Sequence, residues 1–151
     1  MKAPTTSPLR AARRVATLFA AAVLAGTAAA NPGQDYTLYC MGCHGATAQG
    51  VPGKVPPLAG ALARYMRTSR GRNYVLRVPG AANSVLSDAQ LAAVLNWLAE
   101  RYRMQDDPRP EPFTAEEVAH SRHTPLADVQ ARRREVLRDF ALTGNAPGSR
   151  Y

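Results

Sequence analysis

The chain carries two cysteines, and they stand together in Cys40-Met41-Gly42-Cys43-His44. This C-x-x-C-H spacing is that of covalent c-type haem attachment. Each thiol can add across one haem vinyl group to form a thioether, and the adjacent histidine is then held under the iron as an axial ligand. Three other chemistries use a close cysteine pair. A redox dithiol of the thioredoxin kind comes within a βαβ pattern, and none is visible in the sequence. A structural zinc needs four ligands, and the only other histidines, His120 and His123, lie far downstream in a segment of different composition. A disulfide between Cys40 and Cys43 would close too short a loop to stabilise much. Haem attachment leads, with these three as its alternatives.

Residues 1–30 read as a secretory signal peptide. Lys2, Arg10, Arg13 and Arg14 form a positive start, residues 15–25 are apolar and uncharged, and Ala28-Ala29-Ala30 offers an A-x-A site with cleavage before Asn31. No charge occurs between Arg14 and Asp35, so a retained membrane anchor is the competing reading. A spanning helix needs about 20 predominantly apolar residues. Gly26, Thr27, Asn31, Pro32, Gly33 and Gln34 interrupt the second half, which disfavours an anchor. Arg13-Arg14 matches a twin-arginine leader, but the residues after it fit that pattern poorly. Thioether attachment belongs outside the cytoplasm, so leader and motif point to one compartment, the periplasm.

The motif must be positioned by the segments downstream of it. Gly45, Gly50, Gly53 and the run Val55-Pro56-Pro57-Leu58-Ala59-Gly60 predict a loop. Ser87 with Gln90 forms a capping-box pattern. Leu91, Val94, Leu95, Leu98 and Tyr102 then recur at helical spacing, which predicts a helix with an apolar core stripe.

Together these elements resemble the class I cytochromes c over residues 34–104. The resemblance is carried by C-x-x-C-H, by a Pro-x-Leu element at Pro56, and by Leu86-Ser87-Asp88-Ala89-Gln90-Leu91 opening a C-terminal helix. It implies an all-α, cytochrome c-like fold around one covalent haem. Residues 35–40 would form a shortened N-terminal helix, with Trp97 packing near it. By the same resemblance, Cys40 and Cys43 anchor the haem and His44 ligates its iron. The Pro56 carbonyl would accept a hydrogen bond from the outer ring nitrogen of His44, fixing the tautomer and raising the ring's basicity. The plainer reading is that Pro56 and Pro57 stiffen a turn. The implied function is one-electron transfer without enzyme activity. The implied partners are periplasmic redox proteins, a dehydrogenase as donor and an oxidase or another cytochrome as acceptor.

The sequence departs from the family at one place. Most class I cytochromes c set a methionine on the second iron face, in a loop before the C-terminal helix. Here that loop, residues 77–85, contains no methionine, histidine or lysine. Met66 is the first candidate for a distal ligand, if residues 64–67 form a helical turn that points it at the haem. Core filler is the commoner role of a methionine. Met104 lies at the far end of the last helix, Met41 lies inside the motif, and His120 or His123 would have to fold back. The remaining reading is an iron with no strong distal protein ligand. A Met/His pair raises the reduction potential, and an open site binds carbon monoxide, nitric oxide or a peroxide. The simple carrier therefore has two rivals: a haem-based small-ligand binder, and a haem subunit of a larger redox enzyme.

The net charge is +8, but the leader holds four of the basic residues, and from Asn31 onward 15 basic residues face 11 acidic ones. Lys54, Arg64, Arg67, Arg70, Arg72 and Arg77 follow one another with no acid between Asp35 and Asp88. Such a face could steer an acidic redox partner, or be an ordinary solvated surface with arginines near haem propionates. Export and the lack of a binding motif exclude nucleic acid as a partner.

Residues 105–151 extend beyond the usual small cytochrome. Asp106-Asp107-Pro108-Arg109-Pro110-Glu111-Pro112 predicts an extended linker. Thr114 with Glu117 predicts a second capping box. Thr124-Pro125 predicts the start of a final helix carrying Leu126, Val129, Val136, Leu137 and Phe140 on one face, with Gly144 as its stop. The expected organisation is a leader at 1–30, a cytochrome domain at 31–104 and an extension at 105–151.

Overall fold

α1 (Pro32–Tyr39) starts where the Asn31 side chain accepts hydrogen bonds from the backbone of Gly33 and Gln34, at 3.1 and 3.3 Å. Pro32 supplies a preset φ in the first turn. The helix therefore begins before the expected residues 35–40, because Asn31-Pro32 is a helix start. The computed structural model describes residues 31–142, and the predicted leader and Gly144 lie outside them. The helical turn α2 (Met41–His44) follows α1 directly. After the glycine loop come α3 (Leu62–Tyr65), α4 (Ser69–Arg77), α5 (Pro79–Ala82), α6 (Asp88–Arg101), α7 (Ala115–Arg122) and α8 (Val129–Leu142). Among the described residues the only β feature is an isolated bridge between Val51 and Val55. The fold is all-α, as expected.

α6 is the spine. Its capping box is complete: the Ser87 hydroxyl accepts from the Gln90 N–H at 3.2 Å, and the Gln90 side chain accepts from the Ser87 N–H at 3.1 Å. Leu91, Val94, Leu95 and Leu98 are buried, so the predicted stripe is core. α6 packs against α1, α3 and α7. The Trp97 ring meets Tyr36 of α1 with centroids 5.9 Å apart.

Residues 77–85 are not the open loop expected. Arg77 closes α4, and Pro79, at a position suited to a first turn, opens α5. This compact connection joins α4 to α6.

Residues 105–142 share one core with the helices of residues 31–104. The linker is extended but anchored. The Asn96 amide on α6 donates to the Phe113 carbonyl at 2.9 Å and accepts from the Phe113 N–H at 2.8 Å. Thr114 caps α7 by accepting from the Glu117 N–H. The reciprocal half of that box is replaced, because the Glu117 carboxylate pairs with Arg72. The final helix does not start at Thr124-Pro125. It starts at Val129, where Asp128 accepts from the Ala131 N–H at 2.8 Å. Residues 124–126 instead dock on the end of α4, with the Thr124 carbonyl accepting from Arg77 Nε at 2.6 Å and the Leu126 N–H donating to the Arg77 carbonyl at 3.0 Å. Val118, Val136 and Phe140 are fully buried in the same core as Leu76, Val94 and Leu98. Phe140 sets its edge against Tyr65, with ring centroids 5.1 Å apart.

This docking accounts for the basic run. Arg64 and Arg67 both reach Asp107, at 2.7 and 3.7 Å. Arg70 meets Asp139 at 2.5 Å in a largely exposed pair. Arg72 holds the Glu117 carboxylate with two nitrogens, donates to the carbonyls of Glu111 and Pro112 at 2.6 and 3.1 Å, and stacks over Phe113 at 4.3 Å. The partner of these five arginines is thus the chain's own extension, while Lys54 stays exposed on the glycine loop.

Candidate functional site

Cys40 is both the C-cap of α1 and the N-cap of α2. Its carbonyl accepts from the N–H groups of Cys43 and His44, at 3.2 and 3.0 Å. These bonds set Cys40, Cys43 and His44 at i, i+3 and i+4 of one helical turn. Both thiols are free, Cys40 half-buried and Cys43 exposed. Burial pushes the Cys40 thiol pKa up, helped by Asp35 and Cys43, so it stays a neutral thiol near neutral pH.

The His44 ring is held from outside the turn. Its Nδ1 lies 3.0 Å from the Pro56 carbonyl oxygen. A carbonyl only accepts, so Nδ1 carries the proton and Nε2 keeps a free lone pair. Burial pulls the His44 pKa below its ordinary value, against the opposing effect of the Pro56 hydrogen bond. The ring is therefore neutral near neutral pH, the state in which imidazole binds a metal.

The glycine loop makes this geometry possible. The Gly50 N–H donates to the His44 carbonyl at 2.8 Å. Gly50 has φ +69, and a Cβ there would lie 2.3 Å from the Val55 carbonyl oxygen, so only glycine fits. The buried Ala48, at φ 56, turns its carbonyl to accept from both Leu58 and Ala59 N–H groups, at 2.9 and 3.0 Å. Those bonds tie the Pro56 segment back to the turn after His44. Two tyrosine hydroxyls also reach this turn. Tyr36 donates to the Gly45 carbonyl at 2.5 Å, and Tyr102 to the Ala46 carbonyl at 3.4 Å. No local pattern marks them, since each tyrosine sits on a helix stripe and bonds far along the chain.

The candidates for a second iron ligand are dispersed. Met66 follows α3 as its C-cap and is 2% exposed within the core. Its carbonyl accepts from Arg72 at 3.2 Å. Met104 is half-exposed beside Gly60, and Met41 packs partly buried against the core. His120 on α7 and His123 at its C-cap are both exposed.

The residues fit a covalently held haem. The two thiols are free and one turn apart, and the neighbouring imidazole has one nitrogen anchored and the other open. Among the described residues no three His, Cys, Asp or Glu side chains group to hold a metal ion, so the zinc reading finds no further ligands.

Comparison with known proteins agrees. The family model for cytochrome c matches residues 30–101. A cytochrome c-552 of Thermus thermophilus is 34% identical over 134 residues, covering 76% of this chain and 90% of that protein. A second Thermus thermophilus cytochrome c-552 is 34% identical over 110 residues, covering 60% of this chain and 84% of its own length. The chain therefore belongs to the cytochrome c family, as a class I c-type cytochrome that carries electrons on a covalently bound haem c.

Proposed function

We propose that the protein is a periplasmic one-electron carrier in which Cys40 and Cys43 anchor the haem, His44 binds the iron and Pro56 fixes His44. The observation that carries this reading is the 3.0 Å contact from His44 Nδ1 to the Pro56 carbonyl. It orients the ring, leaves Nε2 free for iron and raises the basicity of the ligand. The bound haem supplies the ferrous/ferric couple. Dehydrogenases as donors and oxidases or other cytochromes as acceptors fit such a carrier. Among the described residues no helix is long and apolar enough to cross a membrane. The extension buries Val136 and Phe140 against its own core, which favours the free carrier over a haem subunit that uses the extension to dock.

One observation favours a second reading of the distal face. Residues 77–85 before α6 hold no methionine, histidine or lysine, and Met66 packs in the core with its carbonyl bound by Arg72. That supports an open sixth coordination position, able to take carbon monoxide or nitric oxide. Absorption spectra of the haem-loaded protein, in both oxidation states and with carbon monoxide, separate the two. A ferrous spectrum shifted by carbon monoxide, and unaltered by Met66→Ala beforehand, supports the open face. A low-spin spectrum that resists carbon monoxide and becomes five-coordinate in Met66→Ala assigns Met66 as the ligand. Absence of covalent haem from protein made with a competent attachment system would sink the carrier itself.

A further inference from the structure

The His44–Pro56 hydrogen bond spans two segments, so its length depends on how the turn after His44 is tied to the loop that carries Pro56. The loop side of that tie is the Ala48 carbonyl, which holds the Leu58 and Ala59 N–H groups. The other side is the Gly45 carbonyl, which accepts from the Ala48 N–H at 3.1 Å and from the Tyr36 hydroxyl at 2.5 Å. Tyr36 belongs to α1 and is 2% exposed, with its ring packed on Trp97 of α6. It therefore joins α1 and α6 to the turn between His44 and Ala48. The turn needs such support, because a non-glycine residue, Ala48, sits there at φ 56, a backbone region unfavourable to L-residues.

We infer that Tyr36 is a positioning residue for the axial histidine: its hydroxyl fixes the Gly45–Ala48 turn and so sets the strength of the His44–Pro56 hydrogen bond. This rests on His44 as the iron ligand. The hydroxyl is suited to a permanent donor role, since burial raises its pKa and keeps the proton on it. Removing it leaves the turn held by backbone bonds and the longer contact from the Tyr102 hydroxyl. The Nδ1 hydrogen bond then loosens, the imidazole becomes less basic, and the ferric state loses more support than the ferrous state.

The test is Tyr36→Phe in the haem-loaded protein, which deletes one oxygen and keeps the ring against Trp97. Against a fixed redox mediator, the ferrous-to-ferric ratio is expected to rise about threefold, the share of one hydrogen bond passed on to the ligand. The paramagnetically shifted proton signals of the His44 ring are expected to move with it. Tyr102→Phe, which removes the longer bond to the neighbouring Ala46 carbonyl, is the control and should leave both readouts near the parent values. A lower melting temperature with an unchanged ratio and unchanged ring signals would overturn the inference, leaving Tyr36 purely structural. An equal shift from Tyr102→Phe would overturn it as well. If spectra of the parent protein show no histidine on the iron, the axial-ligand reading has failed instead, whatever Tyr36→Phe does.

Discussion

The haem loop, residues 45–60, and the extension, residues 105–142, sit on one core but are held to it by different forces. The loop is held by backbone. Glycines at φ +78, +69 and +72 turn it, and N–H groups of Gly50, Leu58 and Ala59 close it onto carbonyls of His44 and Ala48. The extension is held by side chains. Arg64, Arg67 and Arg72 clamp its acids and carbonyls, Asn96 grips Phe113, and Phe140 fills the core. The site thus rests on contacts that salt does not screen, and its cover rests partly on contacts that salt does screen. A charge run that looks like a docking face can be one half of an internal interface.

This contrast can be broken from either side. The largest effect is expected from Gly50→Ala, where a left-handed φ and a 2.3 Å approach to the Val55 carbonyl admit no side chain. A loss of about 3 kcal/mol or more, measured by denaturant unfolding and unchanged between low and high salt, is expected. A salt-dependent loss there would erase the distinction. Arg72→Ala comes next. It strips the donors from Glu117 and from the carbonyls of Met66, Glu111 and Pro112. The expected cost is about 2–3 kcal/mol at low salt, smaller at high salt, with faster amide exchange in residues 111–122 and no change in the haem spectrum. Equal loosening of the haem loop would show that the two regions are not held independently. Thr114→Ala should cost least, about 1 kcal/mol, because it removes one cap hydrogen bond from α7. A loss as large as that of Arg72→Ala would mean that the start of α7, not the arginine clamp, anchors the extension.

The loop and α6 are legible in the sequence because their signals are local. Glycine and proline positions define the loop, and the capping box with its apolar stripe defines α6, all within a few residues. Pro56 is legible only through family resemblance, and the hydrogen bond to His44 fits that expectation in geometry. The start of α8 differs from the expected one because Thr124-Pro125 has the chemistry of a cap, yet its carbonyl is drawn onto Arg77. The second capping box is half formed, because Arg72 outcompetes the helix for Glu117. Two bonds from a guanidinium are stronger than the single bond the same carboxylate could accept from a backbone N–H.

What the sequence determined by itself is the chemistry: two thiols and an imidazole at the spacing of one helical turn, and hence a covalent haem in an all-α chain. Residue identity and separations of three or four positions suffice for that. Only the tertiary structure decided where the arginines go, that Tyr36 reaches the turn behind His44, and that Met66 lies sealed in the core. Each depends on which distant segments meet. That is settled by burying apolar surface across the whole chain while leaving every charge and carbonyl a partner, a condition no short stretch of sequence expresses.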